Sequence, residues 1–243
     1  MGYTTAGFGA TVGGLHTLRD LGLIVTNGDV DEPPEPKTSL VEVPGSSNVL
    51  DLSCALTGRV EYGMRRLTLA LAGEKAPGEW APFMAGLRLK LHGKRADIVL
   101  DAEPDLAYVG RVSIGELTRT GRAGAFKLEA DCEPYRKETS PPDGNWLWDP
   151  FSFERGVIRE YGDLSVEGEL TVNIAGVENT VVPVITLADV DAGTAPYLIF
   201  EGKRRELHAG RNRVPEIRIS QAGGSIELHG TFTASIDFRG GFI

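Results

Sequence analysis

The sequence predicts a mainly β protein built as two domains, the first interrupted by one α-helix. Three observations carry this. Glycine and proline are abundant, 31 and 14 in 243 residues, which favours many short elements joined by turns. Apolar residues alternate with polar ones through much of both halves, the period of half-buried strands. One window, after Pro77-Gly78, instead spaces its apolar residues by three and four, the period of a helix. Hydrophobic and charged shares of 41% and 24% are those of an ordinary globule, so packed cores are expected.

Residues 1–14 are rich in glycine and threonine and lack the basic start and apolar run of a secretory signal, so synthesis in a cytoplasm is expected. Within them, Gly7-Phe8-Gly9-Ala10-Thr11-Val12-Gly13 imitates a dinucleotide fingerprint only loosely: its third glycine is one position late and no strand precedes it. Leu21-Gly22-Leu23-Ile24-Val25 is expected as a short strand closed by Asn27-Gly28. The acidic stretch 29–36 contains Pro33, Pro34 and Pro36, which fix φ and remove donors, so it should run extended over the surface. It lacks the glycine of a calcium loop and reads as a solvated acidic edge. Residues 40–43, the turn Pro44-Gly45, and Leu67, Leu69 and Leu71 read as half-buried strands.

Trp80, Phe83, Met84, Leu87 and Leu91 fall on one face of the expected helix. Pro82 sits in its first turn, where a missing N–H costs little, and Gly93 supplies the stop. Period-two alternation returns at 98–100, then at Tyr108, Gly110, Val112 and Ile114, and at Phe126, Leu128, Ala130 and Cys132. Residues 138–153 break the pattern: turn chemistry at 139–144 is followed by Trp146, Trp148, Phe151 and Phe153 without a period. The boundary is placed there, giving domains 1–140 and 141–243. In the second, Leu164, Val166, Leu170, Val172 and Ile174 share an apolar row with Gly168, and short strands at 182–187, 197–200, 217–219, 226–228 and 232–238 complete a sandwich pattern.

Charge and motifs exclude several functions. The net charge is −9, with 16 basic against 19 acidic residues before position 140 and 9 against 15 after it. Nucleic-acid readers bind by neutralising phosphates with Lys and Arg, so neither half reads as one. No stretch approaches the roughly 20 apolar residues of a membrane-spanning helix. Cys54 and Cys132 lie far apart in hydrophobic contexts, which suits buried reduced thiols. His16, His92, His208 and His229 show no metal-ligand spacing and are expected in surface or helix-end roles. No serine or cysteine nucleophile signature occurs. A glycosidase reading would need two carboxylates, but 34 acidic residues allow too many pairs for that to signal anything. Trp146 and Trp148 are candidates for stacking on a sugar or partner surface, or for closing an apolar seam.

Several short motifs stand in a definite order along the chain. These are Pro44-Gly45 with Asn48-Val49-Leu50-Asp51-Leu52-Ser53, Gly58-Arg59, and Tyr62-Gly63-Met64-Arg65-Arg66. Trp80 with the helix exit Leu91-His92-Gly93-Lys94 follows, then Tyr108-Val109-Gly110-Arg111-Val112 and Pro134-Tyr135-Arg136. Leu207-His208-Ala209-Gly210-Arg211-Asn212 and Asp237-Phe238-Arg239 extend the series to the C-terminal strand, and the order as a whole resembles the distal tail proteins (Dit) of long, flexible-tailed bacteriophages. Asn48 stands where the family often has glycine, and tolerates a left-handed conformation. Ala209 stands where proline is common.

The resemblance implies two β-sandwich domains, the first with one helix and a β-hairpin and closing into a hexameric ring, the second galectin-like. It implies partners in the tail tube protein and the tail-tip hub protein, stacking of rings, a receptor-binding protein or host glycan, and DNA only as passing cargo. The location implied is the virion tail tip. No catalytic residue, metal or cofactor is expected. Arg59, Tyr62, Arg65 and Arg66 are candidate assembly contacts, because Arg and Tyr are enriched at interfaces. The alternative is a carbohydrate-binding module using Trp146 or Trp148.

Overall fold

The computed structural model describes residues 9–26, 30–45, 47–55, 58–139, 160–177, 180–239 and 241–243. The chain forms two compact units, Met1–Arg136 with Ile243, and Lys137–Phe242. Both are mainly β, and no helix among the described residues is long and apolar enough to cross a membrane.

The first unit contains β1 (Ala10–Val12), β2 (Leu15–His16), β3 (Leu23–Val25), β4 (Val30–Glu32), β5 (Pro36–Lys37), β6 (Leu40–Glu42), β7 (Val49–Asp51), β8 (Glu61–Tyr62) and β9 (Arg65–Glu74). Then come α1 (Trp80–Leu91), β10 (Arg95–Leu100), β11 (Glu103–Ile114), β12 (Thr118–Thr120) and β13 (Ala123–Cys132). The main sheet runs β2-β1-β10-β11-β13-β9-β3, with β4 also on β9 and β12 on β13. These pairings are antiparallel, and the longest in this unit, β13 on β9, runs from Ala123 opposite Glu74 to Cys132 opposite Arg65. Alternation along β9 and β13 sends Leu67, Leu69, Leu71, Phe126, Leu128 and Ala130 into one core.

The helix forms where its period predicts, and Trp80, Met84, Leu87 and Leu91 are the residues it buries. Trp80 is fully buried, and its indole N–H donates to Arg122 O at 3.0 Å. Gly124 makes room for that ring, since a Cβ there would stand 2.5 Å from it. His16 corrects the expectation of a surface role. It is buried, its Nδ1 accepts the amides of Leu18 and Arg19, and its Nε2 lies 3.2 Å from the Asp101 carboxylate. It organises the turn after β2. His92 is at the helix end as expected, its Nδ1 accepting the Ile114 amide.

The second unit contains β15 (Leu164–Ile174), β16 (Val184–Ala188), β17 (Tyr197–Phe200), β18 (Lys203–Glu206), β19 (Gly210–Arg213) and β20 (Gly224–Asp237). Two further short strands, β14 (Arg136–Glu138) and β21 (Gly241–Phe242), pair with each other. The sheet order is β18-β17-β20-β16-β19, with β15 also on β20. One edge of β20 takes β15 from Gly224 to Ala234. The other is divided: β17 pairs with 226–229 and β16 with 233–237. The change of partner falls at Gly230, whose φ is +135°, directly opposite Gly168 with φ +88°. Two glycines in register let both strands of the longest ladder turn together, and this curls one sheet around a core of Val166, Leu198, Ile226, Leu228, Phe232 and Ile236.

The bend yields a prediction. Replacing Gly230 with alanine puts a Cβ 2.8 Å from the Phe232 ring at a φ that L residues rarely adopt. Gly230→Ala should cost about 1–3 kcal/mol, read as a lower denaturation midpoint. Gly193→Ala, where a Cβ meets nothing within 4 Å, is the control and should change little.

Candidate assembly surface

Residues 33–63 leave the first unit as an arm. They depart after β4 and return before β9, and those two strands are paired, Asp31 opposite Leu67 and Glu32 opposite Arg66. The neck is β5 on β8, with Pro36 opposite Tyr62, and Gly63 donates its amide to Glu35 O at 2.8 Å. Beyond it lies the hairpin of β6 and β7, with Leu40 opposite Asp51, Val41 opposite Leu50 and Glu42 opposite Val49. Pro44 followed by Gly45 at φ +80° is the pair a type II turn takes. At the base, Leu52 N donates to Ser39 O, Ser39 N to Ser53 Oγ and Ser53 N to Asp51 Oδ1. The Ser53 side chain and amide hold the Asp51 carboxyl below the ordinary carboxylate range.

Every residue of β6 and β7 is exposed, which corrects the half-buried expectation for residues 40–43. Period two sorts the side chains into a mixed face, Leu40, Glu42, Val49 and Asp51, and an apolar one, Val41 and Leu50. Val43 and Leu52 continue the apolar alternation by one residue on each strand. These four are between 39% and 51% exposed. A two-stranded ladder is marginal alone in water, and a contiguous apolar patch marks a contact surface. The signal was present in the sequence: Leu40-Val41 and Val49-Leu50 are adjacent apolar pairs, whose members must point to opposite faces. Elsewhere on the same unit, an open hollow of about 430 Å³ is lined by Thr26, Ala70, Ser113, Ala125 and Lys127 among others.

The root of the arm is held by an ionic cluster around the buried Arg65 and Tyr108, whose carboxylates are partly exposed. Arg65 is only 3% exposed, and its Nε lies 3.4 Å from Asp31 Oδ1. The Tyr108 hydroxyl donates to Asp31 Oδ2 at 3.1 Å. The Arg65 and Arg136 guanidinium carbons stand 5.5 and 5.7 Å from the Tyr108 ring centroid, and Arg136 Nη1 donates to Glu103 at 2.7 Å. Two guanidinium groups and the Asp31 carboxylate thus meet at one phenol, and Asp31 ties β4 to β9 where the arm begins. Removing Asp31 would leave the buried Arg65 guanidinium without its carboxylate, an unfavourable state for a charge held away from water. The acidic stretch runs extended and largely exposed, as expected, and in addition pairs as β4 on β9 and supplies the Asp31 carboxylate to Arg65.

Arg65 is accordingly corrected from a candidate surface contact to a buried anchor. Of the other three, Arg59 is half-buried with its Nε 3.3 Å from Glu61, and Tyr62 is half-buried edge-on to Tyr135 at 6.0 Å. Arg66 is exposed, 3.3 Å from Asp131. Arg59 and Tyr62 are in the neck of the arm; Arg66 lies on the strand to which it returns. Trp146 and Trp148, like Asn27-Gly28, lie outside the described residues. Cys54 is exposed on the arm, contrary to expectation, while Cys132 is buried as expected.

The fold and this surface define a class: a two-unit β scaffold carrying an apolar arm. No family model matches the sequence, and no curated protein matches it. Among solved structures, the chain is similar to the SPP1 Dit (gp 19.1) protein, described as a paradigm of the hub adsorption apparatus in phages infecting Gram-positive bacteria. The match covers 97% of this chain and 99% of that one, with a TM-score of 0.52 and 11% identity. The chain therefore shares the fold of a distal tail protein along nearly its whole length.

Two measurements check this placement of residues. Native protein should release one fast thiol per chain to a thiol reagent, from Cys54, and a second, from Cys132, only on unfolding, because burial pushes the Cys132 thiol up to about 12. Burial and the Asp31 charge likewise push the Tyr108 hydroxyl up to about 12 from an ordinary 10.0. The folded value is the higher, so this contribution to stability is complete below pH 10 and is lost as pH rises through about 12. Denaturation midpoints should fall across that window, and less steeply in Tyr108→Phe.

Proposed function

We propose that this chain is a structural, non-enzymatic phage tail-tip protein that closes into a hexameric ring. The ring joins the tail tube to the tail-tip hub and leaves a channel for DNA. The observation that carries this reading is the fold likeness to SPP1 Dit over nearly the full length of both chains. The N-terminal domain, placed at residues 1–140, forms the ring; the C-terminal domain, placed at 141–243, is a galectin-like sandwich on its outside. The tail tube and hub proteins dock on opposite faces, rings stack, and a receptor-binding protein or host glycan meets the outer domain.

The arm supports ring closure. A cyclic assembly needs two different patches on each subunit that fit each other. The Val41, Val43, Leu50 and Leu52 face is one, and the hollow over Ala70 and Ala125 of the next subunit is the proposed receiver. Arg59, Tyr62 and Arg66 lie beside that contact; Arg65 acts from within by anchoring the arm. The net charge of −9 suits a channel whose wall repels passing DNA. The carbohydrate-binding alternative rests on Trp146 and Trp148, outside the described residues.

The test is the solution mass of the full chain by light scattering, with negative-stain images. Wild-type protein should give six-subunit annuli, and Val41→Asp/Leu50→Asp should give monomers with unchanged far-UV circular dichroism. Annuli that survive the double substitution would remove the arm from the interface, and annuli of another subunit number would overturn the hexamer.

A further inference from the structure

We propose that the outer face of the second unit binds one divalent transition-metal ion of the zinc class, held by His229, Glu169 and Glu227. The inference is independent of the tail-tip reading, since all three residues belong to one sheet and none to the arm. Period two on β20 sends Ile226 and Leu228 into the core and Glu227 and His229 outward. The register sets Glu169 of β15 directly opposite His229, where facing side chains stand about 5 Å apart. One imidazole and two carboxylates therefore converge, with their ligand atoms all within 4.8 Å of one another.

The histidine supplies the second observation. Its Nε2 has less than 1 Å² of accessible surface and no hydrogen-bond partner. The nearer carboxylate oxygen, Glu227 Oε2, is 3.9 Å away, too far for a hydrogen bond. The imidazole side chain is 16% exposed, and its ring is stacked on Tyr197 with centroids 4.6 Å apart and planes 7° apart. The Arg204 guanidinium covers Tyr197 in turn, 3.7 Å from its centroid. The stack fixes the plane of the imidazole while an unpaired nitrogen faces two like-charged groups that repel each other. A cation between them satisfies the nitrogen and removes the repulsion.

The donor set selects the ion. Ligand bonds of about 2.0–2.1 Å put the donors of a tetrahedral zinc about 3.3 Å apart. The two glutamates reach that by rotating, since Glu169 is exposed and the Glu227 side chain is 44% exposed. Water completes the fourth position. Magnesium and calcium prefer all-oxygen cages, so they should be discriminated against. The Glu169–His229 pair is one step along the ladder from Gly168 and Gly230. An ion there would clip β15 to β20 at the corner where both strands turn.

The test uses purified full-length protein stripped with chelator, then titrated with zinc or magnesium and followed by calorimetry and thermal unfolding. Zinc should bind one per chain through this site and raise the unfolding midpoint, reversibly on adding chelator; magnesium should do neither. His229→Ala and Glu169→Gln should each weaken zinc binding at least tenfold. Their circular dichroism without metal should match wild type, and if His229→Ala fails to fold, Glu169→Gln carries the comparison. Absence of zinc binding, equal stabilisation by magnesium, or zinc affinity unchanged in Glu169→Gln would overturn the proposal.

Discussion

Four apolar side chains share one face of a ladder only two strands wide, and their own chain leaves them about half exposed. Fully burying a Val or Leu stabilises by about 1.5–3 kcal/mol. Covering these half-exposed four is therefore worth on the order of 4 kcal/mol. That is at the lower end of the roughly 4–15 kcal/mol lost when two bodies give up independent motion. One arm seated in one neighbour is a weak contact. A closed ring gives every subunit that contact twice, as donor and as receiver, which favours complete assemblies over dimers.

The remaining architecture serves to hold such an arm. It leaves and re-enters the first unit between two strands that are already paired, so its ends are fixed however its tip moves. The buried Arg65 guanidinium, paired with the partly exposed Asp31, sits at that root. Buried ion pairs are weak as stabilisers but strict about geometry, because either partner alone is costly. In the second unit a comparable constraint is met by backbone freedom: Gly168 and Gly230 turn the longest ladder in register, and a single sheet encloses its core.

What the sequence made legible follows the range of the interactions. The helix could be read to its ends because Trp80, Met84, Leu87 and Leu91 carry its whole buried face within twelve residues. The alternation of β15 was equally local. Arg65 could not be read, since Arg65-Arg66 looks like solvated charge until Asp31, remote in sequence, is known to lie beside the first. His229 showed no ligand spacing because its partner Glu169 arrives through strand register, sixty positions earlier. The first strand of the hairpin and its Pro44-Gly45 turn are legible in the sequence and their exposure is not: alternation fixes which side chains share a face and is silent on which molecule covers it. The Dit fold emerged from the order of motifs because that order tracks the order of strands.

The most direct measurement is amide hydrogen exchange of the arm in assembled protein against the Val41→Asp/Leu50→Asp monomer. Burial of the apolar face in a neighbouring subunit predicts that segments 40–43 and 49–52 are strongly protected in the assembly and exchange freely in the monomer, while the core strands of both units exchange alike in the two. Equal, rapid exchange of the arm in both states would contradict the account.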